Sequence, residues 1–189
     1  CEVTLTLVDE EDPMITCPVV ALSYTADAGE CSFTMPGTGF DPTYDDNCVA
    51  SISHDYNYAP NNTLAGASFP VGTTTVTWTA TDENGNTATC SIDIVVTDDE
   101  NPSFVNCPSD MAVNADVDKC SANVIWSIPV AADNCGIQTV LQTAGPAPGS
   151  LLPVGMTTIT YVATDVNGNA FTCSFVITVN DMQLPDLTC

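Results

Sequence analysis

Basic residues are almost absent from this chain of 189 residues. A single Lys or Arg stands against 24 Asp and Glu, which gives a formal net charge of −23 at pH 7. Proteins that bind nucleic acids do so through several Lys or Arg contacts to phosphate, and anionic lipid surfaces attract the same side chains. The composition therefore excludes nucleic acid and anionic membrane surfaces as partners.

Long apolar runs are also lacking. No stretch of about 18 or more consecutive apolar residues occurs, so the sequence predicts no membrane-spanning helix and no direct membrane insertion. Hydrophobic residues nevertheless make up 44% of the chain. That fraction is enough to fill a core, and it argues against a disordered acidic tail.

Histidine is scarce as well, which limits the chemistry that the chain can perform. The single histidine, His54, is followed by Asp55 on a predicted strand, where neighbouring side chains point to opposite faces and form no proton relay. We predict a surface position for His54. Paired carboxylates hydrolyse glycosides only in a rigid cleft, which a small β-sandwich seldom offers. We therefore expect no enzymatic activity, and a hydrolase is the least favoured alternative.

Cysteine, by contrast, is abundant, with 10 residues in the chain. The cysteines do not fall into Cys-x-x-Cys pairs, so the spacing does not indicate zinc or redox sites. This many cysteines is typical of disulfide-bonded exported proteins, which predicts an extracellular or cell-surface location. An Asn-x-Thr sequon makes Asn61 a candidate for glycosylation.

The cysteines also reveal an internal repeat. Four of them recur in the same order, as Cys17 and Cys107, Cys31 and Cys120, Cys48 and Cys135, and Cys90 and Cys173. Both ends of the chain carry a partial repeat. We predict the last strand of a preceding repeat at 1–8, a first repeat at 9–98, a second repeat at 99–181, and the first strand of a following repeat at 182–189.

Strand signals dominate each repeat. Residues 74–80 and 91–97 are rich in β-branched side chains that alternate with polar ones, and the Asn- and Gly-rich segment 82–86 between them is typical of a hairpin turn. Shorter strands are predicted at 15–24, 32–35, 49–56 and 67–70. No segment has helical periodicity over three turns. The sequence therefore predicts an all-β fold of tandem immunoglobulin-like antiparallel β-sandwiches, arranged as an extended rod.

The ordered motifs resemble a known family. The chain contains in succession Asp-x-x-x-Pro, Cys-Pro, Gly-x-Cys, Asp-Asn-Cys, Phe-Pro-Val-Gly-Thr, Thr-Ala-Thr-Asp, Asn-Gly-Asn and a final Cys. This order is similar to the hyalin repeat, or HYR domain, over essentially the whole chain. The second repeat departs from it in two places, with Asp-Lys-Cys at 118–120 in place of Gly-x-Cys and with Leu152 where Phe is usual. The resemblance implies an immunoglobulin-like extracellular module of adhesion and matrix assembly, and it implies no enzymatic activity.

The disulfide pairing has three candidate schemes. The first and last strands of a sandwich start at the same pole, which favours Cys17–Cys90 with Cys31–Cys48, and Cys107–Cys173 with Cys120–Cys135. The rival scheme for the first repeat is Cys17–Cys31 with Cys48–Cys90. A third scheme joins Cys1–Cys17, Cys90–Cys107 and Cys173–Cys189, and it would staple each module to the next.

Carboxylates gather in three segments of each repeat: the junction, the loop before the third cysteine, and the hairpin turn. In immunoglobulin topology all three lie at the N-terminal pole, and Ca²⁺ takes about six to eight oxygen ligands. We predict Ca²⁺ at each junction, with the ligands Asp9, Glu11, Asp46, Asp82, Asn84, Asn86, Asp98, Glu100, Asp133, Asp165, Asn167 and Asn169. The alternative interpretation is that Asp, Asn and Gly simply form turns on a solvated surface.

The aromatic residues divide into two groups. Trp78 and Trp126 lie within alternating strand patterns, so we expect them to pack in or against a core. Tyr56 and Tyr58 lie on a predicted loop and form the one candidate contact surface of exposed aromatic side chains.

These features predict a structural, non-catalytic segment of an extracellular adhesin, stalk or filament. Its partners are neighbouring identical or similar repeats, with a cell-surface or matrix protein or a glycan as a further candidate. Two alternatives remain. One is a filament subunit whose strand at 3–8 completes the sandwich of the next subunit, and the other is a carbohydrate- or protein-binding module.

Overall fold

The computed structural model describes residues 2, 4, 8–21, 23–48 and 50–184. The chain divides into two compact units, Cys1–Asp98 and Asp99–Cys189, which hold the first and the second repeat. The described residues form sixteen strands and no helix, which confirms the all-β prediction of two tandem β-sandwich domains. The predicted terminal strands at 1–8 and 182–189, with Cys1 and Cys189, lie largely outside the described residues. No helix that could span a membrane occurs in the described part of the chain.

The described residues of the first repeat form eight strands. They are β1 Met14–Thr16, β2 Tyr24–Thr25, β3 Ser32–Thr34, β4 Thr43–Asp45, β5 Ala50–His54, β6 Ser68–Pro70, β7 Gly72–Asp82 and β8 Thr87–Thr97. One sheet has the order β2-β8-β7-β5, in which β2 runs parallel to β8. Strands β3 and β6 form an antiparallel pair whose Phe33 and Phe69 pack into the core below that sheet. Strands β1 and β4 pair separately.

The second repeat has the same plan. Its strands are β9 Ser103–Phe104, β10 Met111–Asn114, β11 Ser121–Asn123, β12 Ala131–Ala132, β13 Ile137–Ala144, β14 Leu151–Pro153, β15 Gly155–Asp165 and β16 Ala170–Asn180. The larger sheet has the order β10-β16-β15-β13, again with a parallel first pair. Strand β11 pairs with β14, and β9 pairs with β12.

A long hairpin forms the centre of each repeat. Strands β7 and β8 are 11 residues long, and alternate side chains such as Val76 and Trp78 are buried while the threonines between them face outward. This alternation is what a half-buried strand requires. The turn that joins the two strands contains Gly85 at φ 93°. Since L side chains rarely adopt that backbone conformation, the Asn-Gly-Asn sequence explains why the hairpin reverses here.

The two cores hold different sets of aromatic residues, and one exchange lies at the centre of the long hairpin. Trp78 is fully buried in the first repeat, and its position in the second is taken by Tyr161. There Trp126 donates from Nε1 to the Tyr161 hydroxyl at 3.0 Å, and that hydroxyl donates to Gln142 Oε1 at 3.2 Å. Both tryptophans are therefore core residues, as the sequence indicated.

The surface position predicted for His54 is wrong. His54 is only 8% exposed, and its ring meets Trp78 edge to face with the centroids 5.0 Å apart. His54 lies opposite Trp78 in the β5–β7 register, so its side chain falls on the core side of the sheet. Its Nε2 lies 3.2 Å from the Thr63 carbonyl oxygen. Asp55 is directed elsewhere and accepts from the Thr77 amide, so no relay forms.

Disulfides join Cys17 to Cys90 and Cys107 to Cys173, each with a Cα–Cα distance of 5.8 Å. These are the pairs that the shared pole of the first and last strands favoured. Because a cysteine forms one disulfide, the structure overturns both the rival scheme and the scheme that staples each module to the next.

The other two predicted pairs, Cys31–Cys48 and Cys120–Cys135, are wrong, since Cys48 and Cys120 are free and exposed. The Cys31 carbonyl accepts from Val71, beside the start of β7, whereas Ala50, just after Cys48, pairs with Asp82 at the other end of β7. Ten steps of about 3.3 Å separate those ends by roughly 33 Å. The Cα atoms of a disulfide lie only about 4.4–6.8 Å apart.

The same geometry applies to the second repeat. The Cys120 carbonyl accepts from Val154 beside the start of β15, while Ile137, near Cys135, pairs with Asp165 at its end. We call the end of each sandwich that carries the long hairpin turn the N-terminal pole, and the opposite end the C-terminal pole. Cys48 and Cys135 lie at N-terminal poles, and Cys31 and Cys120 lie at C-terminal poles.

Candidate metal centre

An aspartate closes each long hairpin turn at the N-terminal pole. Asp82 Oδ1 accepts from the backbone amides of Asn84 and Asn86 at 2.9 and 2.7 Å, and its Oδ2 accepts from the Asn86 side-chain amide at 2.7 Å. Asp165 makes the same three bonds at 2.8 Å each, to Asn167 and to the backbone and side chain of Asn169. These aspartates hold the turn in shape.

The same hydrogen bonds set the protonation of the two turn aspartates. Desolvation acts to raise the pKa of the Asp82 and Asp165 carboxyls. Hydrogen bonds from the Asn86 and Asn169 side chains, and from the backbone amides of the turns, outweigh that effect and hold both pKa values below the ordinary range. Both groups are therefore carboxylates at neutral pH.

Asp9 is held at the N-terminal pole of the first repeat. Its Oδ1 accepts from the Glu11 amide at 3.1 Å, and its backbone carbonyl accepts from the Asn86 side chain at 3.2 Å. The Cys48 thiol donates a hydrogen bond to the Asp9 carboxylate, which lowers the pKa of Asp9 and raises the pKa of Cys48 to about 11. The thiol beside Asp9 is therefore protonated at neutral pH.

The loop before the third cysteine supplies the next carboxylate. Asp46 Oδ2 accepts from the Cys48 amide at 3.0 Å. In the second repeat Asp133 Oδ1 accepts from the amides of Cys135 and Gly136 at 2.9 and 3.1 Å. Since these bonds use one carboxylate oxygen, the other oxygen of each aspartate is available to a ligand.

Two clusters of potential metal ligands result. In the first repeat one ligand atom each of Asp9, Asp46 and Cys48 lies within 4.8 Å of the others. The cluster of Asp98, Asp133 and Asp165 has the same compactness, and Asp98 is the repeat counterpart of Asp9. We call the latter the three-aspartate cluster. Its all-oxygen donor set suits Ca²⁺, whereas the Cys48 sulfur is a soft ligand that does not.

The fit to a cation also depends on oxygens that the protein leaves without a donor. Asp133 Oδ2 is buried and has no hydrogen-bond partner among the described residues. Buried oxygens of this kind are ordinarily satisfied by a hydrogen bond or by an ion. The residues present therefore fit a hard cation.

The remaining predicted ligands divide by their contacts. Glu11 lies outside both clusters and accepts from the Asn47 side chain at 3.0 Å, and Glu100 lies outside them too. Asn86 and Asn169 direct their amide nitrogens at the turn aspartates, as described above. Cys48 belongs to the first cluster, although the sequence predicted it to form a disulfide. Its position two residues after Asp46 could have indicated that the two side chains lie close together.

Asn84 borders a shallow depression in the first repeat. The depression measures about 300 Å³ and is also lined by Val8, Asp9, Asn47 and Cys48. Asn84 therefore lies near the first cluster, whereas its backbone amide is used by the Asp82 turn.

The tyrosine pair is not the exposed platform that we expected. Tyr56 stacks on Phe69 with the centroids 4.8 Å apart, and its hydroxyl donates to the Ser68 carbonyl. The Tyr58 hydroxyl donates to the Ala65 carbonyl at 3.0 Å. Both side chains are half-buried and brace the loop that follows β5. Asn61, the glycosylation candidate on this loop, is exposed.

The fold and this site define a class: a protein of tandem, disulfide-bonded β-sandwich repeats with an acidic cluster at one pole of each repeat. The HYR domain family model matches residues 8–96 and 97–179, so the second match includes Asp98. The chain belongs to the HYR domain family.

The most informative relatives are two sea-urchin proteins named hyalin. The Strongylocentrotus purpuratus protein is 36% identical over 196 residues, covering 100% of this chain and 16% of the relative. The Lytechinus variegatus protein is 35% identical, covering 96% of this chain and 33% of the relative. This chain therefore spans at most about a third of those relatives.

Two further similarities are more limited. A Rattus norvegicus protein with sushi, von Willebrand factor type A, EGF and pentraxin domains is 41% identical over 83 residues, covering 43% of this chain and 2% of the relative. Among solved structures, the protocadherin gamma B2 extracellular cadherin domains 1–5 match with a TM-score of 0.45 and 12% identity, covering 94% of this chain and 42% of that one.

Proposed function

We propose that this chain is a non-catalytic structural segment of an extracellular adhesion or matrix assembly, built from tandem HYR repeats and stabilised by Ca²⁺ at the N-terminal poles. The three-aspartate cluster carries the proposal, since its ligand atoms lie within 4.8 Å of one another and the buried Asp133 Oδ2 has no donor among the residues that the structure describes. Membership of the HYR family, similarity to hyalin and the within-repeat disulfides support an extracellular adhesion-type module.

Electrostatics explain why a cation would stabilise this cluster. Asp165 is fully buried and Asp98 is 9% exposed, so water screens their charges less than it screens surface charges. Three carboxylates this close repel one another, and the chain offers a single Lys or Arg to offset 24 acidic residues. A divalent cation is the partner that neutralises such a cluster without a basic side chain.

The three aspartates lie on separate segments of the chain, which supports a joining role for one bound ion. Asp98 lies on the chain that enters the repeat, Asp133 on the loop before β13, and Asp165 at the hairpin turn. An ion bound to all three would tie the entering chain to two loops of the same sandwich. Such a tie stiffens the point at which a repeat array would otherwise bend.

The experiment is a Ca²⁺ titration by calorimetry, combined with thermal unfolding followed through Trp126. Extracellular Ca²⁺ modules have Kd values of about 10⁻⁴–10⁻³ M. At about 10 mM Ca²⁺ the linkage stabilises the repeat by about 1.4–2.7 kcal/mol, which raises its Tm by roughly 6–20 °C. EDTA should reverse the shift.

The Asp133→Asn variant tests the site itself. Its amide oxygen can still accept from the Cys135 and Gly136 amides, but the variant loses one charge and the free carboxylate oxygen. We expect it to fold and to lose most of the Ca²⁺-dependent shift. Asp46→Asn, the matched change in the first repeat, should leave the Trp126 transition and its shift intact. An equal Ca²⁺ shift in Asp133→Asn and in the unmodified chain would contradict the proposal.

A further inference from the structure

We propose that Cys48 and Cys120 are cross-linking thiols, and that the Cys120 position of one repeat forms a disulfide with the Cys48 position of the repeat that follows it in an array. The partner thiol of Cys48 or of Cys120 therefore belongs to a second copy of this chain or to a neighbouring HYR repeat. The inference rests on the proposed function, because it requires that repeats stand head to tail.

The first observation is that neither thiol forms a disulfide in the part of the chain that the structure describes. Both are free and exposed. The 11-residue strands β7 and β15 keep the second and third cysteines of each repeat at opposite poles. The first and fourth cysteines are already bonded to each other. Each thiol must therefore find any disulfide partner outside its repeat.

The second observation comes from the repeat counterparts. Cys31 is the counterpart of Cys120, Cys135 is the counterpart of Cys48, and both are disulfide-bonded. Cys31 is not bonded to Cys48, and Cys135 is not bonded to Cys120, since Cys48 and Cys120 are free. Both positions are thus competent to form disulfides, and the within-repeat pairing is not the one they use.

The poles make the two thiols complementary. The chain enters the first repeat beside Cys48, since Asp9 contacts that thiol and its carbonyl accepts from Asn86. The chain leaves the second repeat at the end of β16, where Val179 lies opposite Gly155. The neighbouring Val154 amide donates a hydrogen bond to the Cys120 carbonyl, so this end of β16 lies near Cys120. In an array, a preceding repeat would therefore end beside Cys48, and a following repeat would begin beside Cys120. Like poles do not meet in such an array.

The chemistry is oxidation of two thiols. Two S–H bonds break and one S–S bond forms, with release of two protons and two electrons. An exogenous disulfide, such as glutathione disulfide or the disulfide of an oxidoreductase, accepts the electrons and becomes two thiols. The reaction proceeds by two exchanges through a mixed disulfide, for which exposure of both thiols is the steric requirement. Oxidation also removes the thiol donor from Asp9.

The test uses the whole chain with Cys48→Ser, with Cys120→Ser, and with both changes. Each protein is incubated with glutathione disulfide, and the products are separated without reduction and mapped by peptide mass. The unmodified chain should form a ladder of covalent multimers joined by Cys120–Cys48 peptides. Each single variant should form no species above a dimer through these two positions, and the double variant should form no multimer through them. Products that peptide mapping assigns to Cys1 or Cys189 are counted separately.

A mixture of equal amounts of the two single variants distinguishes the proposed pairing from random reaction. Random pairing yields twice as much heterodimer as of either homodimer. We expect the Cys120–Cys48 heterodimer to exceed each homodimer by clearly more than the statistical factor of two, since the proposal places unlike poles against each other. Statistical proportions, or thiols that remain fully alkylatable after oxidation, would overturn the proposal. Because the Ca²⁺ shift is measured separately, such a failure leaves the proposed function standing, and loss of the Ca²⁺ shift leaves the cross-link measurable.

Discussion

Replacing Cys107 and Cys173 together by alanine removes the disulfide that closes the second repeat. The bond joins residues 66 apart in sequence. In the chain-entropy account, closing a loop of that length stabilises the folded state by about 4.4 kcal/mol. Small domains have a total unfolding free energy of about 5–15 kcal/mol. The double variant should therefore lose a large part of the stability of its repeat, with a Tm lowered by roughly 17–35 °C.

The assay needs a probe for one repeat at a time, and the tryptophans supply it. Trp126 lies in the second core with its ring 5.9 Å from Phe175, whereas Trp78 lies in the first core. Trp78 Nε1 has no hydrogen-bond partner among the described residues, so Trp78→Phe removes no hydrogen bond. In that background, urea and thermal unfolding followed by fluorescence report on the second repeat alone.

The control is the matched pair of changes Cys17→Ala and Cys90→Ala. That disulfide joins residues 73 apart, so its removal should cost the first repeat a similar free energy. It should leave the Trp126 transition where it was. A loss below about 1 kcal/mol in the Cys107/Cys173 variant would refute the reasoning, as would a shift of the Trp126 transition in the control.

Two more predictions concern the second repeat. Tyr161→Phe leaves the buried Trp126 indole without its acceptor, and it should cost about 1–3 kcal/mol in urea unfolding. Acid should also destabilise the chain: because Asp82 and Asp165 have lowered pKa values, their contribution is complete above the unfolded pKa of about 3.9 and is lost as the pH falls through the folded values. Tm measured from pH 7 down to about pH 2 should show this loss.

Each of these predictions has a matched control. Tyr44→Phe changes an exposed tyrosine and should be neutral, and an equal loss in both variants would remove the indole bond as the cause. Asp165→Asn turns one carboxylate oxygen into a donor facing the Asn169 amide, so it should lower the Tm at pH 7 and flatten the acid slope. Asp99→Asn, at an exposed position, should retain the full slope. An unchanged slope in Asp165→Asn would contradict the assignment.

The long hairpins could be predicted because both of their signals, strand alternation and a turn sequence, lie within a short stretch of the chain. From Thr75 to Ala80, within β7, threonine alternates with apolar side chains, and the Asn-Gly-Asn turn closes the hairpin. The predicted strand at 15–24 was less accurate, since it is two short strands, β1 and β2, that pair with different partners, β4 and β8. Strand β4 has only three residues and went unpredicted, because so short a strand exists through its partner rather than through its own pattern.

The site was predictable to a similar degree. Asp9 and Asp46 could be placed together because immunoglobulin topology brings the strand start and the loop to one pole. The predicted Cys31–Cys48 pair was wrong because the two cysteines, although close in sequence, lie at opposite ends of the 11-residue strand β7. The burial of His54 depends on its register with Trp78 across two strands. No single-residue pattern in the sequence contains that register.

The within-repeat disulfides also determine how the chain carries mechanical load. Tension applied along the chain passes from Cys17 directly to Cys90 through the sulfur atoms, so the 73-residue span between them is bypassed. At about 3.3 Å per extended residue, each disulfide keeps roughly 200 Å or more of enclosed chain from extending. A repeat that loses its fold under load therefore lengthens only by the residues that lie outside the disulfide loop. Reduction of these disulfides would allow the residues inside each loop to extend under force.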